Sequence, residues 1–228
     1  MQQKIAWWKI ATVMLLFPMI YQLYSISPLA LGLFQESKSE NFVPFFLGLT
    51  FLHWLTFYIC YTIVKSSKWT NAMIGYQLST NQTLKIVSTY FLIAFLLLIL
   101  IEYILHVSTL NPEKVSQLGD FFPKDTTQRV VFIFTAFSAG FLEEYIYRGF
   151  AICSLESRGI SRWIALIISS ISFTLIHGVI VFQRFPAYFF PSLLFGALFI
   201  WKRQLQIPML VHAFIDLTAL LMILTALA

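Results

Sequence analysis

The sequence predicts an all-α protein, a bundle of helices that crosses the membrane several times. Hydrophobic residues make up 59% of the 228-residue chain and charged residues only 11%, whereas a soluble domain carries roughly 25% charged residues. The apolar runs are continuous and do not alternate, so they predict helices and not the strands of a membrane barrel. The clearest run, residues 86–106, is long enough to cross a hydrocarbon core of about 30 Å.

About seven spans are expected, judged against the roughly 20 residues that a membrane helix requires. Their predicted ranges are 10–33, 42–64, 86–106, 129–152, 163–182, 186–201 and 208–227. The sixth span is short and contains Pro186 and Pro191, so we expect it to be tilted, broken or partly re-entrant. Lysines precede the first apolar run as in a signal peptide, but the run is too long and lacks a cleavage site, which favours an uncleaved helix.

The lysines and arginines of the connections predict the orientation of the bundle. With the N-terminus in the cytoplasm, the inner segments hold nine of these residues and the outer segments five. This bias favours N-in and C-out, and it accounts for the net charge of +5 without a nucleic-acid partner. Since the connections are too short to form a second domain, we expect residues 1–228 to be one integral membrane domain.

Three charges lie inside the fourth predicted span, in the stretch FLEEYIYRGF at residues 141–150. A charge in the hydrocarbon core costs on the order of 2.5–3.5 kcal/mol. Glu144 and Arg148 are four residues apart in the order that favours an ion pair on one helix face. Glu143 lies about 100° round the helix, so we expect it to face another partner and to be suited to general-base catalysis. The alternative is that both glutamates only hold helices together.

Two further predicted helices carry a pair of residues at the same spacing. Phe173 and His177 share a face in SISFTLIHG, although His177 could simply donate to a backbone carbonyl. His212 and Asp216 share a face in IPMLVHAFIDL, either as a structural pair or as half of a metal site. Three polar stripes on otherwise apolar helices would be expensive as structural contacts alone, so a reactive centre is the better explanation.

Other polar residues in the apolar spans are assigned ordinary roles. We expect His53 to be a packing residue because it has no partner at helical spacing. Glu102 and His106 lie at the end of the third span, where their side chains can reach the membrane interface.

The depth of the three stripes predicts where the reactive centre lies. The span limits place Glu143 and His212 toward the cytoplasmic side, but His177 about two-thirds of the way across the bilayer. At about 1.5 Å per residue this is a mismatch on the order of 10 Å. We therefore expect the fifth helix to begin later than residue 163, in preference to a tilt of the helix.

The ordered set EExxxR, FxxxH and HxxxD, each in a hydrophobic helix, resembles the CPBP family, also called the Abi family. That family contains the CAAX-processing endopeptidases and the bacteriocin-processing or self-immunity membrane proteins. The resemblance covers about residues 129–220, the motif-bearing core. It implies a glutamic-type intramembrane endopeptidase, a hydrolase without a cofactor. The implied catalytic residues are Glu143 and His177, which activate water, and His212 and Asp216, which stabilise the oxyanion; the implied structural support is Glu144, Arg148 and Phe173.

Two features of the resemblance leave alternatives open. Where the family has Asn an amide can donate a hydrogen bond, whereas an ionised Asp216 only accepts, so we assign Asp216 to orienting His212. Zinc is kept as the less favoured alternative to a metal-free mechanism. If a metal binds, its ligands would be Glu143, His177, His212 and Asp216. The sequence lacks the HExxH motif of zinc proteases and the GxSxG motif of serine hydrolases, so neither of these classes is predicted.

The predicted function is cleavage of a peptide bond in a CAAX-like, pheromone or bacteriocin-type substrate. The partners would be a peptide or a membrane-delivered protein segment, together with the lipid bilayer, and the expected location is a bacterial cell membrane. The alternative is a non-enzymatic bacteriocin self-immunity or membrane scaffold protein on the same fold. A transporter would be expected to show repeated halves, and the sequence has none.

Overall fold

The computed structural model of the protein describes residues 4–34, 38–107, 122–218 and 220–221. Every regular element within these ranges is helical, as predicted. Among the described residues, four helices are long and apolar enough to cross a membrane: Ser39–Ser66, Thr80–Ile104, Thr126–Ser157 and Val181–Lys202. The protein is therefore a multi-pass helical membrane bundle, whereas seven spans and the N-in orientation stay predictions.

The α-helices are numbered in chain order. They are α1 (Trp7–Ala11), α2 (Phe17–Ser25), α3 (Pro28–Phe34), α4 (Phe42–Ser66), α5 (Thr80–Val107), α6 (Thr126–Ser138), α7 (Cys153–Ser157), α8 (Arg162–Leu175), α9 (Val181–Lys202) and α10 (Gln206–Thr218). Three π-helical segments, at Thr12–Leu16, Ala139–Glu143 and Tyr145–Ile152, join α1 to α2 and α6 to α7. Short 3₁₀ turns lie at Ser39–Asn41 and Asn71–Ile74.

The first predicted span is not one helix over residues 10–33. The helix from α1 through α2 ends at Ser25, and Ile26 has left the helical conformation with φ −108° and ψ 12°. A separate helix, α3, begins at Pro28. Proline disfavours a helical conformation in the residue before it and suits a first helical turn, so the break falls directly before Pro28.

The fifth span is shorter than predicted and does not start late. The Ser161 side chain accepts from the backbone N–H of Ile164 and caps α8, which begins at Arg162. The helix ends at Leu175, and a turn with Gly178 at φ +77° leads into α9. Both the range 163–182 and the late start are therefore wrong, since the apolar sequence runs without interruption through this turn.

The sixth span is irregular, as expected, but it is longer than 186–201. Helix α9 begins at Val181, and Arg184 interrupts it with φ −126° and ψ 29°. Pro186 lies two residues further on, where its ring and its missing N–H disturb the preceding turn. In the seventh span, α10 ends at Thr218, and most of the remainder of the predicted range 208–227 lies outside the described residues.

The connections assigned to the inner face meet at one end of the bundle. The Lys9 ammonium donates to the Ser66 and Ser67 hydroxyls at the end of α4. Arg158 donates to the carbonyl of Ile5, 2.7 Å away. Arg203, after α9, forms a two-pronged ion pair with Glu156 of α7, with distances of 2.8 and 2.7 Å. These contacts bring Lys9, Arg158 and Arg203 together at one end of the bundle.

The motif-bearing helices approach each other through small residues. A Cβ atom added to Gly140 would lie 2.4 Å from the backbone nitrogen and Cα of Ala213, so α10 packs directly on the backbone beside Glu143. Close approach at small residues is the usual way in which membrane helices gain contact. The π-helical turns on either side of Glu144 are a local distortion of the kind often found at functional sites.

Gly140→Ala is expected to destabilise the protein by about 1–3 kcal/mol, because the added methyl group meets backbone atoms that cannot move aside. The free energy of unfolding can be measured by titration with a denaturing detergent. Ala187→Val, at an exposed position of α9, is the matched control and should cost less. Equal stability of Gly140→Ala and the wild type would contradict this packing.

Candidate active site

Glu143 is paired with a residue from a different helix. Its Oε1 lies 3.0 Å from Nε2 of His53 on α4, and both side chains are buried. Its Oε2 is also buried and has no hydrogen-bond partner in the described part of the chain. The prediction that Glu143 turns away from the Glu144–Arg148 pair is confirmed. The expectation that His53 only packs is wrong, because its partner comes from another helix and no spacing within α4 reveals it.

Glu144 joins two of the three motifs. Its Oε2 lies 3.1 Å from Nε of Arg148, which confirms the predicted ion pair. Its Oε1 lies 2.9 Å from Nδ1 of His212 on α10. The carboxylate has no exposed side-chain surface. Glu144 therefore uses one oxygen on each partner and fixes the Nδ1 side of the His212 ring.

The Arg148 guanidinium is the second fixed charge of the site. Its Nη2 donates to the carbonyl and the hydroxyl of Ser192 on α9, at 3.1 and 3.0 Å. Its central carbon lies 4.1 Å from the centre of the Phe173 ring on α8, a favourable cation–π distance. Arg148 thus connects the Glu144 segment to both α8 and α9.

His177 lies in the turn that follows α8, and its ring is held from the Nδ1 side. Nδ1 is 3.1 Å from the Phe173 carbonyl oxygen and 3.2 Å from that of Thr174. Carbonyl oxygens only accept, so Nδ1 donates, and in the neutral ring Nε2 carries the lone pair. The backbone hydrogen bond weighed as a structural alternative is thus present, and it leaves Nε2 for a second partner. The ring packs on Phe173 and on Tyr188, with centroids 5.0 and 4.4 Å away.

The N-terminal helix α2 holds the turn that carries His177. The Gln22 amide nitrogen lies 2.5 Å from the Leu175 carbonyl oxygen and 3.1 Å from that of Gly178, one on each side of the histidine. The Ser25 hydroxyl accepts from the backbone N–H of Val179. A Cβ atom added to Gly178 would lie 2.4 Å from Cβ of Ser25, so the turn and α2 are in direct contact.

His212 lies between two carboxylates, Glu144 at Nδ1 and Asp216 at Nε2. Asp216 Oδ2 lies 3.5 Å from His212 Nε2, a longer contact than the 2.9 Å between Nδ1 and Glu144. The His212 ring stacks on Phe195 of α9, with centroids 5.0 Å apart. Asp216 therefore borders the ring nitrogen that faces away from Glu144.

The three motifs converge on Phe173. Its ring centroid lies 5.0 Å from that of His177 and 5.8 Å from that of His212, and Arg148 stacks on its face. His177 and His212 thus lie on the same phenylalanine even though α8 starts at Arg162 and not later. The stripes that the sequence predicts thus form one buried cluster, and Phe173 is its common contact.

The arrangement does not favour the zinc alternative. Within the ranges that the structure describes, no group of three or more His, Cys, Asp or Glu side chains could hold a metal ion. Two of the four predicted ligands are instead paired with other groups, Glu143 with His53 and His212 with Glu144. No step of the mechanism below is therefore routed through a metal.

One comparison with known proteins identifies the motif-bearing region. Residues 125–218 match the family model described as type II CAAX prenyl endopeptidase Rce1-like. This part of the chain is therefore similar to the Rce1-like family, in agreement with the resemblance that the three motifs carry. No curated protein and no solved structure matches the chain significantly. The matched segment contains all seven motif residues, whereas His53 and Gln22 lie outside it.

Glu144→Ala is expected to destabilise the protein by about 3–5 kcal/mol, because it leaves the buried Arg148 charge without its partner. Glu156→Ala is the matched control, since it also removes a glutamate from an arginine pair, but at the more exposed end of the bundle. The control should cost about 1 kcal/mol or less. Both free energies of unfolding can be measured in detergent, and equal losses would contradict the buried pairing.

Proposed function

We propose that the protein is an intramembrane endopeptidase in which Glu143 removes a proton from the attacking water. The observation that carries the proposal is the different surroundings of two adjacent glutamates. Glu144 uses its two oxygens on Arg148 and His212. Glu143 has one oxygen on His53, and its other oxygen has no hydrogen-bond partner among the described residues, so we assign that oxygen to the attacking water. A carboxylate held in this way within hydrogen-bond reach of a water is suited to general-base catalysis.

The proposed reaction balances without a cofactor. The water oxygen bonds to the substrate carbonyl carbon while its proton passes to Glu143. His177 accepts a second hydrogen bond from the water through Nε2 and so directs the attack. The tetrahedral intermediate then loses its C–N bond, and Glu143 returns the proton to the leaving amine. The products are a new carboxyl end and a new amino end, and Glu143 is ionised again.

His212 is the proposed donor to the oxyanion. With both ring nitrogens protonated it would donate from Nε2 to the substrate oxygen, while Nδ1 donates to Glu144. The carboxylates of Glu144 and Asp216 would balance the charge of that ring. In this mechanism Asp216 borders the oxyanion donor and does not contact the oxyanion itself, since an ionised carboxylate only accepts hydrogen bonds.

The proposed substrate is a short peptide or the end of a membrane-delivered protein. Support comes from the position of the cluster among membrane helices and from the description of the matched family as a CAAX prenyl endopeptidase. A CAAX-like protein end, a pheromone and a bacteriocin-type peptide all fit this class, and a bacterial cell membrane is the proposed location. Bacteriocin self-immunity and a scaffold role are the non-enzymatic outcomes that an assay has to separate from cleavage.

Glu143→Gln should abolish cleavage while the protein stays folded, because the amide keeps the shape of the carboxylate but cannot take the proton. The expected loss in kcat is about 10²–10⁴-fold. The assay uses purified protein in detergent and quenched fluorescent peptides, both prenylated and unmodified. Glu156→Gln is the matched control, since it changes a glutamate outside the site, and it should cleave as the wild type does.

The same assay separates the alternatives. Cleavage that is unaffected by a chelator supports the metal-free mechanism, whereas loss of cleavage on chelation assigns the chemistry to zinc. If the wild type cleaves none of the peptides, yet wild type and Glu143→Gln protect cells equally from a bacteriocin, the protease proposal fails and the immunity role replaces it.

A further inference from the structure

The predicted base is held by a residue outside the family-matched region. His53 lies in the middle of α4, whereas the match begins at residue 125. Its side chain is 3% exposed, and Nε2 is 3.0 Å from Glu143 Oε1. None of the three motifs includes this histidine. The contact therefore calls for an explanation of its own.

The contact with His53 fixes the orientation of the Glu143 carboxylate. A carboxylate with one oxygen bound cannot rotate without breaking that hydrogen bond, so the direction of its second oxygen is fixed as well. In Glu143 the bound atom is Oε1, and Oε2 is buried without a partner among the described residues. A base has to present its oxygen to water at hydrogen-bond distance and in line, and errors of about 1 Å can cost 10²-fold in rate.

His53 is itself fixed by the N-terminal helices. Its ring stacks on Tyr21 of α2, with centroids 5.7 Å apart and planes 28° from parallel. The Tyr21 hydroxyl lies 3.4 Å from the Thr56 hydroxyl, one turn along α4. The Thr56 hydroxyl also contacts the carbonyl oxygens of Leu52 and His53. Tyr21 thus packs on the face of the imidazole, and Tyr21 also contacts Thr56 on the same helix as His53.

We propose that His53 is a positioning residue for peptide hydrolysis, whose Nε2–H holds Oε1 of Glu143 so that Oε2 faces the attacking water. The inference rests on the proposed function of Glu143 as the base. Helix α4 then supplies part of the active site, and α2 supports it twice, through Tyr21 on His53 and through Gln22 on the His177 turn. The family-matched segment alone does not contain every group that places the base.

Two substitutions of His53 separate a hydrogen-bond donor from a packing residue. His53→Leu fills the site without a donor, and His53→Gln keeps an N–H that can reach the carboxylate. Cys60→Ala is the matched control, because Cys60 is also fully buried on α4 and is not among the residues that form the site described above. All three proteins and the wild type are checked for their melting temperature in detergent. Cleavage of the best fluorescent peptide is then measured as separate kcat and KM values.

The expected result is a loss of about 10²-fold in kcat for His53→Leu, with KM unchanged, because only the alignment of the base is lost. His53→Gln should recover most of that loss, and Cys60→Ala should keep the wild-type kcat. A folded His53→Leu with wild-type kcat would overturn the inference and leave the peptidase proposal standing. A folded His53→Gln as inactive as His53→Leu would also overturn it.

The failure of the proposed function has a different signature. If the wild type and Glu143→Gln are equally inactive on every peptide, both the peptidase proposal and the role of His53 are rejected. If His53→Leu does not fold, His53→Met takes its place as a flexible apolar side chain of similar volume. The comparison of that variant with His53→Gln then decides the inference by the same criterion.

Discussion

The buried carboxylate of Glu144 is the interaction on which the rest of the site depends. An unpaired charge at this depth would cost several kcal/mol, so the two charges of the pair stabilise the fold only while both are present. Glu144 meets Arg148 on one oxygen and His212 on the other. Arg148 in turn contacts Phe173 on α8 and Ser192 on α9. A single carboxylate thereby connects the π-helical segment to three other helices.

This network explains why the sequence places two glutamates side by side. Each Glu144 oxygen lies against a cationic or ionisable side chain, Oε2 against Arg148 and Oε1 against His212. Glu143 points in another direction from the same helix and contacts His53 through one oxygen, and its other oxygen has no hydrogen-bond partner among the described residues. In the proposed mechanism, structural and chemical roles are divided between the two neighbours, and Glu143 takes up and returns a proton while the Glu144–Arg148 pair stays intact.

The sequence predicts well what lies within one helix and poorly what lies between helices. Spacing of four residues was enough to predict the Glu144–Arg148 pair. The contact between His53 and Glu143 joins residues 90 positions apart, and no periodicity within α4 carries that information. The sequence also does not reveal that α8 ends at Leu175, because the turn at Gly178 lies inside a continuous apolar run. The spacing of four residues predicts the contact between Asp216 and His212, but it does not reveal that Glu144, from a separate motif, contacts the other ring nitrogen of His212.

The most direct test of the division between the glutamates is a single turnover in H₂¹⁸O, followed by mass spectrometry of the peptide product and of the protein. If Glu143 activates water, one ¹⁸O atom enters the new carboxyl end of the product and neither Glu143 nor Glu144 gains label. Label in the Glu143 side chain would show that this residue attacks the peptide bond itself through a covalent intermediate. Label in Glu144 would contradict its assignment as a purely structural carboxylate.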